Sequence, residues 1–585
     1  MGSIESEELQ GKRHSLAHLL ATSVIQLYPG AQNAIGPSIE NGFYQDFDIP
    51  VNISDEELPK IEAKMREVLT TWKTSSRKEV TVEEAKKEFA WNKYKSELID
   101  DFAKNDKHIT FYTLGDFVDL CKGGHTEDAT TIDPQAFKLT KVAGAYWRGD
   151  SNNKMLTRIY GLAFNTKQEL EDYVAMQEEA EKRDHRKLGI PLDLFTFSDL
   201  VGKGLPLWTP KGTLLRELLN NYSQQLRINK GWQRVWSPHI TKNDLYKTSG
   251  HWAKFGDELF LVKSQETSDE LVMKPMNCPH HQQIYASRPH SYRELPIRYM
   301  ETTTVYRDEK AGELMGLSRV RSITQDDSHT FCTPDQIEEI YQQLIDVTKE
   351  FYATIGMKLR ARLSFRDPAE PDKYLGEPEL WQKAQDTLLS IAKKNELDYF
   401  IGEGEAAFYG PKIDFMAQDA IGREHQLATP QLDFVQPKRF GLVYTDAEGK
   451  EQTPVMIHFA LMGSIERFLS VYIEHTAGVF PLWVAPVQVS ILPISDNQLE
   501  YARKVKSEIE TALPDARVEV DERSESVGKK IREASKSKVP YMAIVGEKEV
   551  QAGTVSIRGR NDADLGAMST HDFTQKLQTE VKSKQ

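Results

Sequence analysis

Residues 166–189 read TKQELEDYVAMQEEAEKRDHRKLG, a charged stretch of helical period with few apolar positions. It predicts a long, solvated linker helix. At Ile190-Pro191, directly after it, the texture of the chain changes. A chain interrupted in this way does not close around one core, and 585 residues exceed what one core holds, so roughly three or four domains are expected. We divide it into residues 1–187, including the linker, then 188–482 and 483–585, the last boundary falling at FPLWVAPVQVSILPI.

Before the linker, HSLAHLLATSVIQLY (14–28) has an amphipathic helical pattern. AIGPSIENGFYQDFDIP suggests a hairpin turning at Asn41-Gly42, residues 55–105 are charged and helical in period, and KVAGAYWRGD looks like a strand entering a turn. After it, GLPLWTPKGTLLRELLNNYSQQLRINKGWQRVWSPHI predicts a turn, a long helix and a strand ending at Pro238. KLRARLSFRD, FYGPKIDFMAQDA and HQLATPQLDFVQP read as sheet strands. In the last hundred or so residues strands alternate with helices, which predicts a small α/β domain.

Composition excludes several classes. No run of eighteen apolar residues exists, so no membrane span is expected, and MGSIESEELQGKRHS has no apolar targeting core. Three cysteines cannot make a disulfide scaffold, which fits a reducing, cytoplasmic setting. A net charge of -14 argues against DNA or other nucleic acid binding non-specifically to the whole surface, though not against a local basic groove.

Two groups of residues carry chemistry. His14 and His18 are spaced i, i+4 on a predicted helix, and Cys121-Lys122-Gly123-Gly124-His125 repeats that separation with glycines that allow close backbone approach. The set is compatible with a zinc site, with unrelated surface histidines, or with a metal-free hydrolytic pocket. The second group is dispersed: Cys278 in MKPMNCPHH, His329 in TQDDSHTFC, and His458 in TPVMIHFALMGSIERF, at the end of an apolar strand. One cysteine and two histidines could hold zinc and leave a position open, although each could equally be a packed core residue. No GxxxxGK[ST] segment is present, so any nucleotide is held without a P-loop.

HSLAHLLA with DFVDLCKGGH resembles the editing domain of threonyl-tRNA synthetases and related alanyl-type editing proteins. The resemblance implies a pocket that hydrolyses the seryl ester of mischarged tRNA, lined by His14, His18, Cys121 and His125, with Asp119, Lys141 and Tyr44 as further candidates, and needing no metal. Lys122 and Gly124 replace the usual Arg and Pro. Residues 188–482 resemble a class II synthetase, specifically the threonyl enzyme. That implies a multidomain α+β chain with an antiparallel-sheet catalytic core, an α+β editing domain and an anticodon-binding domain. It also implies a homodimer that joins L-threonine to tRNA(Thr) through an adenylate, using ATP with Mg2+.

By the same likeness Cys278, His329 and His458 hold one Zn2+ per subunit, selecting threonine's hydroxyl against valine. TTTVYRDEKAGELMGLSRVRSITQDDSHTFC resembles motif 2, giving Arg307 at the α-phosphate and Glu309 at the adenine amino group. ALMGSIERF resembles motif 3, giving Arg467 at the γ-phosphate, and Pro238 matches the motif 1 proline of the dimer interface. Asp327 and Tyr409 would orient the threonine ammonium, Gln325 and Lys412 the carboxylate and phosphate region, and Gln426 and Gln431 match further pocket positions. RSESVGKKIREASKSKVPYMAIVGEKEVQAGTVSIRGR is rich in interleaved basic residues, namely Lys529, Lys530, Arg532, Lys536, Lys538, Arg558 and Arg560. It resembles the anticodon-binding domain, with Ser524, Glu549 and Arg558 at the reading positions and Ser524 in place of the usual Asn. The resemblance also implies a form without the small N-terminal ubiquitin-like (TGS) domain.

Departures from the family pattern fall at His280 (CPGH reads Cys-Pro-His-His), at Thr302 and Thr303 (EFG), at Leu427 within HQLAT (WQCGT), at Phe459 (HRA) and at Met315. Leu427 and Met315 are expected to alter pocket shape and sensitivity to bulky active-site inhibitors. Two other readings are a metal-dependent hydrolase centred on the first cluster and a non-enzymatic RNA-binding paralogue.

Overall fold

The leucines and small residues of HSLAHLLATSV fall on every side of a helix, so the Glu7–Leu27 helix is buried almost all round rather than along one stripe. This computed structural model describes residues 7–104 and 108–584, which form two compact units, 1–179 and 180–585. In the first unit the helix packs on an antiparallel sheet ordered Gln32–Asn33, Gly42–Asp48, Met155–Ala163 and Phe137–Tyr146, with Ser38–Ile39 paired on Gly42–Asp48. Asn41 takes a left-handed φ of 61° at the expected turn. The helical stretch 55–105 contains a strand that periodicity missed. Ser75–Val80 lies at the edge of a three-stranded sheet with Ile109–Leu114 and Phe117–Leu120, and its mostly exposed polar residues carry no apolar alternation. Residue 105 lies outside the described residues.

The linker is not one helix. Lys167–Arg183 ends at Asp184, whose carboxylate accepts the backbone N–H of Arg186 at 2.8 Å and caps a second, short helix, His185–Gly189. Nor is all of it solvated, since His185 is buried.

The second unit is built on a nine-stranded sheet, mainly antiparallel. Its main path runs Gln233–Arg234, Ile297–Tyr306, Ser322–Cys332, Val455–Ser464, Thr429–Asp433, Lys412–Gln418, Lys358–Phe365 and Tyr399–Glu403, with Glu424–Gln426 paired to Lys412–Gln418. The strand expected to reach Pro238 is only Gln233–Arg234, paired in parallel at the sheet edge. The Pro210–Ile228 and Ile337–Thr354 helices contribute apolar faces to the core.

Strand alternation then sorts TQDDSH. Gln325, Asp327 and His329 belong to one face of Ser322–Cys332, while Asp326 belongs to the other. Asp326 is fully buried against the Pro210–Ile228 helix, accepting from Ser223 Oγ at 2.8 Å and from the Met462 N–H at 3.0 Å, with Arg227 Nη2 at 3.5 Å. This pins the central strand to its helix.

Within the same unit, Val489–Pro493 pairs in parallel with Val518–Val520 and with Tyr541–Val545. Thr554–Gly559 and Asp564–Ser569 then continue the sheet antiparallel. A separate apolar cluster of Val489, Ile491, Val505, Ile509, Ile557 and Phe573 lies between this sheet and its helices. Among the described residues no helix is long and apolar enough to cross a membrane.

Candidate active site

In the register of the large sheet His329 faces His458, His458 faces Gln431, and Gln431 faces Lys412. Four residues from distant parts of the sequence therefore form one row across four strands. His458 lies within the strand Val455–Ser464, not at its end. Cys278 opens the Cys278–Ala286 helix. The row borders a cavity of about 480 Å³ lined also by Cys278, Arg307, Gln325, Asp327 and Tyr409.

The donor atoms of Cys278, His329 and His458 lie within 4.8 Å of one another. His329 Nε2 and His458 Nδ1 are 3.1 Å apart. Their outer nitrogens are engaged: His458 Nε2 with Asp433 Oδ2 at 2.9 Å, and His329 Nδ1 with His281 Nδ1 at 2.8 Å. His281 continues to Glu301 Oε2 at 3.2 Å, and Glu301 also accepts from Ser237. Burial pushes the Cys278 thiol up and the His329 imidazole well down. Three buried donors, inner nitrogens converging and outer nitrogens held by a carboxylate or a carboxylate-bound imidazole, fit a divalent zinc-type ion. His281, Glu301 and Asp433 were not found from sequence; only His281 had a signal, being next to the CPHH cluster.

Tyr409 donates to Gln431 Oε1 at 2.8 Å and stacks on His458 at 4.7 Å between ring centroids. Asp327 accepts from Asn277 Nδ2 at 3.2 Å. Lys412 approaches Asp414 at 2.9 Å. Asp414, fully buried, also accepts from Arg362, Ser364, Thr429 and Gln426, the last at 2.7 Å. Gln426 accepts in turn from Arg362 at 2.9 Å, so both ends of its amide serve this hub. Glu309 Oε2 receives both Nε and Nη2 of Arg319, at 2.8 and 2.7 Å. Arg467 stands on the first turn of Ile465–Thr476, where Ser464 Oγ accepts its N–H at 3.3 Å.

In the first unit His14, His18, Cys121 and His125 also converge, with donor atoms within 4.8 Å. The Glu7–Leu27 helix begins well before His14, so the two histidines sit inside it rather than at its start. Cys121 Sγ lies 3.4 Å from His14 Nε2 and 3.2 Å from His125 Nε2, and His125 Nδ1 meets Ser15 Oγ at 3.3 Å. Gly123 and Gly124 take φ of 120° and 81°, which turns the chain back so that Cys121 and His125 share one pocket. Asp119 is spent on Lys95 at 2.6 Å and Asn33 at 3.0 Å, with His18 Nε2 at 3.8 Å. Its charge is therefore neutralised by Lys95. Tyr44 and Lys141 meet on the sheet around Tyr160: Tyr44 pairs with it in register and Lys141 Nζ sits 4.7 Å over its ring.

Residues 260–476 match the tRNA synthetase class II core domain (G, H, P, S and T), 488–580 the anticodon binding domain, and 109–160 the threonyl and alanyl tRNA synthetase second additional domain. A threonine–tRNA ligase of Gloeobacter violaceus is 48% identical over 584 residues, covering 98% of this chain and 92% of the relative. The chain belongs to the threonyl-tRNA synthetase family. A Bacteroides fragilis threonine–tRNA ligase is 47% identical over 585 residues, covering 99% of this chain and 90% of the relative. The solved RNA binding domain of threonyl-tRNA synthetase from Cryptosporidium parvum superposes with a TM-score of 0.64 at 37% identity, covering 68% of this chain and 98% of that one.

With the synthetase family established, its departures can be placed. Phe459 lines the cavity and is buried. Leu427 packs in the sheet core, and Met315 is 52% exposed on the turn where it pairs with Arg319. Thr303 Oγ1 accepts from Lys274 and Thr302 Oγ1 donates to Asn220. His280 is buried with neither ring nitrogen hydrogen-bonded among the described residues.

Of the anticodon candidates, Ser524 is exposed, Arg558 lies at a bulge of its strand, and Glu549 caps its own helix through the Gly546 N–H at 2.9 Å while accepting from Ser556. The basic stretch is less available than its composition suggests. Lys530 donates to the Pro493 and Asp521 carbonyls, Arg560 to those of Phe480 and Lys538, and Lys529 pairs with Glu525.

Burial holds His14 and His18 below the ordinary imidazole value and brings His125 down to about 2. In the second unit His251 falls to about 3 and His280 to about 4 for the same reason. An unfolded chain protonates these groups near about 6.5. Below that pH the unfolded state binds more protons on these groups, so their contribution to stability is fully present above it and is lost as pH falls, opposed only in part by Asp326, whose carboxyl burial raises to about 6. The thermal midpoint should stay flat from about pH 8 to 7 and drop steadily from about 6.5 to 5, a window above most carboxylate titration. Calorimetry across that range checks it; a flat midpoint down to about pH 5 contradicts it.

Proposed function

We propose that the chain charges tRNA(Thr) with L-threonine in two steps and removes serine attached in error. The observation that carries the proposal is the single cavity in which strand register places Gln325, Asp327, His329, His458 and Lys412, and to which the Cys278 helix and the loops of Arg307 and Tyr409 add their side chains.

Activation brings a carboxylate onto the α-phosphate of ATP, so two anions must meet while charge builds on phosphorus. Arg307 supplies a planar cation inside the cavity, and Lys412 and Gln325 hold the carboxylate and phosphate region. Arg467 takes the γ-phosphate at a helix start, and Mg2+ accompanies ATP. Glu309 offers Oε1 to the adenine amino group while Arg319 holds Oε2. Asp327 and the Tyr409 hydroxyl orient the ammonium. Gln426, bonded to Asp414 through its NH2 and to Arg362 through its oxygen, acts by holding the carboxylate that Lys412 approaches. Cys278, His329 and His458 would hold zinc, which when bound would supply Lewis-acid chemistry able to recognise threonine's amino and hydroxyl groups and not valine's methyl. No protein base is needed for the first step, since the carboxylate is already the nucleophile, and positioning carries most of the rate.

Serine also carries a hydroxyl and escapes this selection. The pocket of His14, His18, Cys121 and His125 is assigned its hydrolysis, with imidazoles that burial keeps neutral and that can hold and orient a water against the ester. Asp119 positions His18, and Tyr44 and Lys141 belong to the surrounding sheet. Ser524, Glu549 and Arg558 are assigned to anticodon reading, and the segment around Pro238 to a homodimer interface. The domains are 1–187, 188–482 and 483–585, and the protein works in the cytoplasm.

His125→Ala is expected to slow deacylation of Ser-tRNA(Thr) by about a hundredfold while threonine charging stays within about twofold. Parallel deacylation and aminoacylation assays test this. Equal loss of both, or unchanged deacylation, overturns the editing assignment. Zinc-edge anomalous scattering with peaks at the first cluster instead of the second would favour the metal-hydrolase reading.

A further inference from the structure

The buried His185 takes no part in the reactions above, yet it sits at a junction of three elements of the second unit. Nδ1 lies 2.7 Å from Glu474 Oε1, near the end of the Ile465–Thr476 helix whose first turn carries Arg467, and the same oxygen accepts the His185 backbone N–H at 3.2 Å. Nε2 accepts the backbone N–H of Leu317 at 3.0 Å. Leu317 belongs to the loop between Arg307 and Arg321, which carries Glu309 and Arg319. The contact is close: a Cβ added at Gly316, where φ is 50°, would stand 2.3 Å from His185 Nε2. Glu474 continues to Arg423 at 2.6 Å, and Arg423 to Asp419 at 2.7 Å. Burial alone would raise the Glu474 carboxyl, but bonds from His185 and Arg423 hold it below its ordinary value. A charged Glu474 fixes the proton on Nδ1 and leaves Nε2 as the acceptor that the Leu317 N–H requires.

We propose that His185 is a positioning residue for the ATP loop: its imidazole, polarised by Glu474, sets the height of residues 316–319 and hence the Glu309–Arg319 pair that receives the adenine. Two further ties on the loop, Ser318 Oγ to Ser470 Oγ at 3.0 Å and the Arg321 N–H to the Gly204 carbonyl at 2.8 Å, would keep it folded without setting that height. This rests on the proposed ATP-dependent activation.

Two amide side chains separate the bonds. Asparagine places an N–H where Nδ1 stands and nothing where Nε2 stands, so it keeps Glu474 and loses Leu317. Glutamine reaches the Nε2 position with a carbonyl oxygen. In threonine-dependent ATP–pyrophosphate exchange, His185→Asn is expected to raise KM for ATP about tenfold with KM for threonine within about twofold, whereas His185→Gln stays within about threefold of the parent for both. Hydrogen exchange of residues 311–321 should speed up in the Asn variant alone. Should that variant not fold, Glu474→Gln carries the test. Arg423 keeps the amide oxygen, so the amide NH2 faces Nδ1 and forces the proton onto Nε2, facing the Leu317 N–H, and KM for ATP rises about tenfold as in the Asn variant. Equal losses in Asn and Gln variants with both KM values unchanged, or no loss in any variant, overturn the proposal. Absence of exchange in the parent would instead refute the activation reading.

Discussion

His329→Ala is expected to strip the second unit of zinc and to lower threonine-dependent pyrophosphate exchange by about a thousandfold. His329 is the middle of the donor set: its Nε2 faces His458 Nδ1, and its Nδ1 is held through His281 by Glu301. Removing it leaves Cys278 and His458, too few donors for a tight site, and deprives the buried His281–Glu301 pair of its target. The loss should fall on threonine selectively. Whatever exchange survives should no longer favour threonine strongly over valine, because the discrimination rests on a polar demand that a hydrophobic pocket cannot make. His281→Ala should be milder, about ten- to a hundredfold in metal affinity, since it removes an orienting partner and not a donor. Metal analysis of the purified variants alongside exchange kinetics decides the matter; full threonine activity without zinc would remove the donor set from the account.

Arg307→Lys is expected to lower kcat for exchange by about a hundred- to a thousandfold while leaving KM for threonine within a fewfold. Lysine keeps the charge and loses the planar fork that can hold two oxygens at once. The effect should therefore appear in the chemical step. Lysine is the cleaner probe here, because alanine would remove a largely buried charge that Glu258 and Glu309 both feel, and so change the field of the site as well as the fork. A variant with normal kcat and raised KM for ATP alone would make Arg307 a ground-state anchor instead.

Much of this architecture could be read from local pattern. The helix carrying His14 and His18, the turn at Asn41-Gly42 and the strand that holds His458 follow from periodicity and turn chemistry, whereas the strand that holds His329 is masked by the acids of TQDDSH. The partners of those residues could not be read that way. Asp433 reaches His458, and Glu301 reaches His281, only through strand register, which no local spacing encodes. Ser75–Val80 escaped because an exposed edge strand has no apolar alternation. The linker reads as one solvated helix because charge hides a cap: Asp184 ends the first helix and His185 is buried directly after it. In the C-terminal sheet, counting basic residues overstated the free charge, because Lys530 and Arg560 are spent on backbone carbonyls. Leu427 and Met315 were expected to reshape the pocket; Leu427 packs in the core and Met315 sits on an exposed turn, so Phe459 is the departure that borders the cavity.

The most direct test of the central claim is ATP–pyrophosphate exchange by the zinc-replete protein with threonine, serine and valine compared in parallel. The account predicts exchange with threonine, weaker exchange with serine and almost none with valine. Comparable rates with threonine and valine, or none with any of the three on folded zinc-loaded protein, would contradict it.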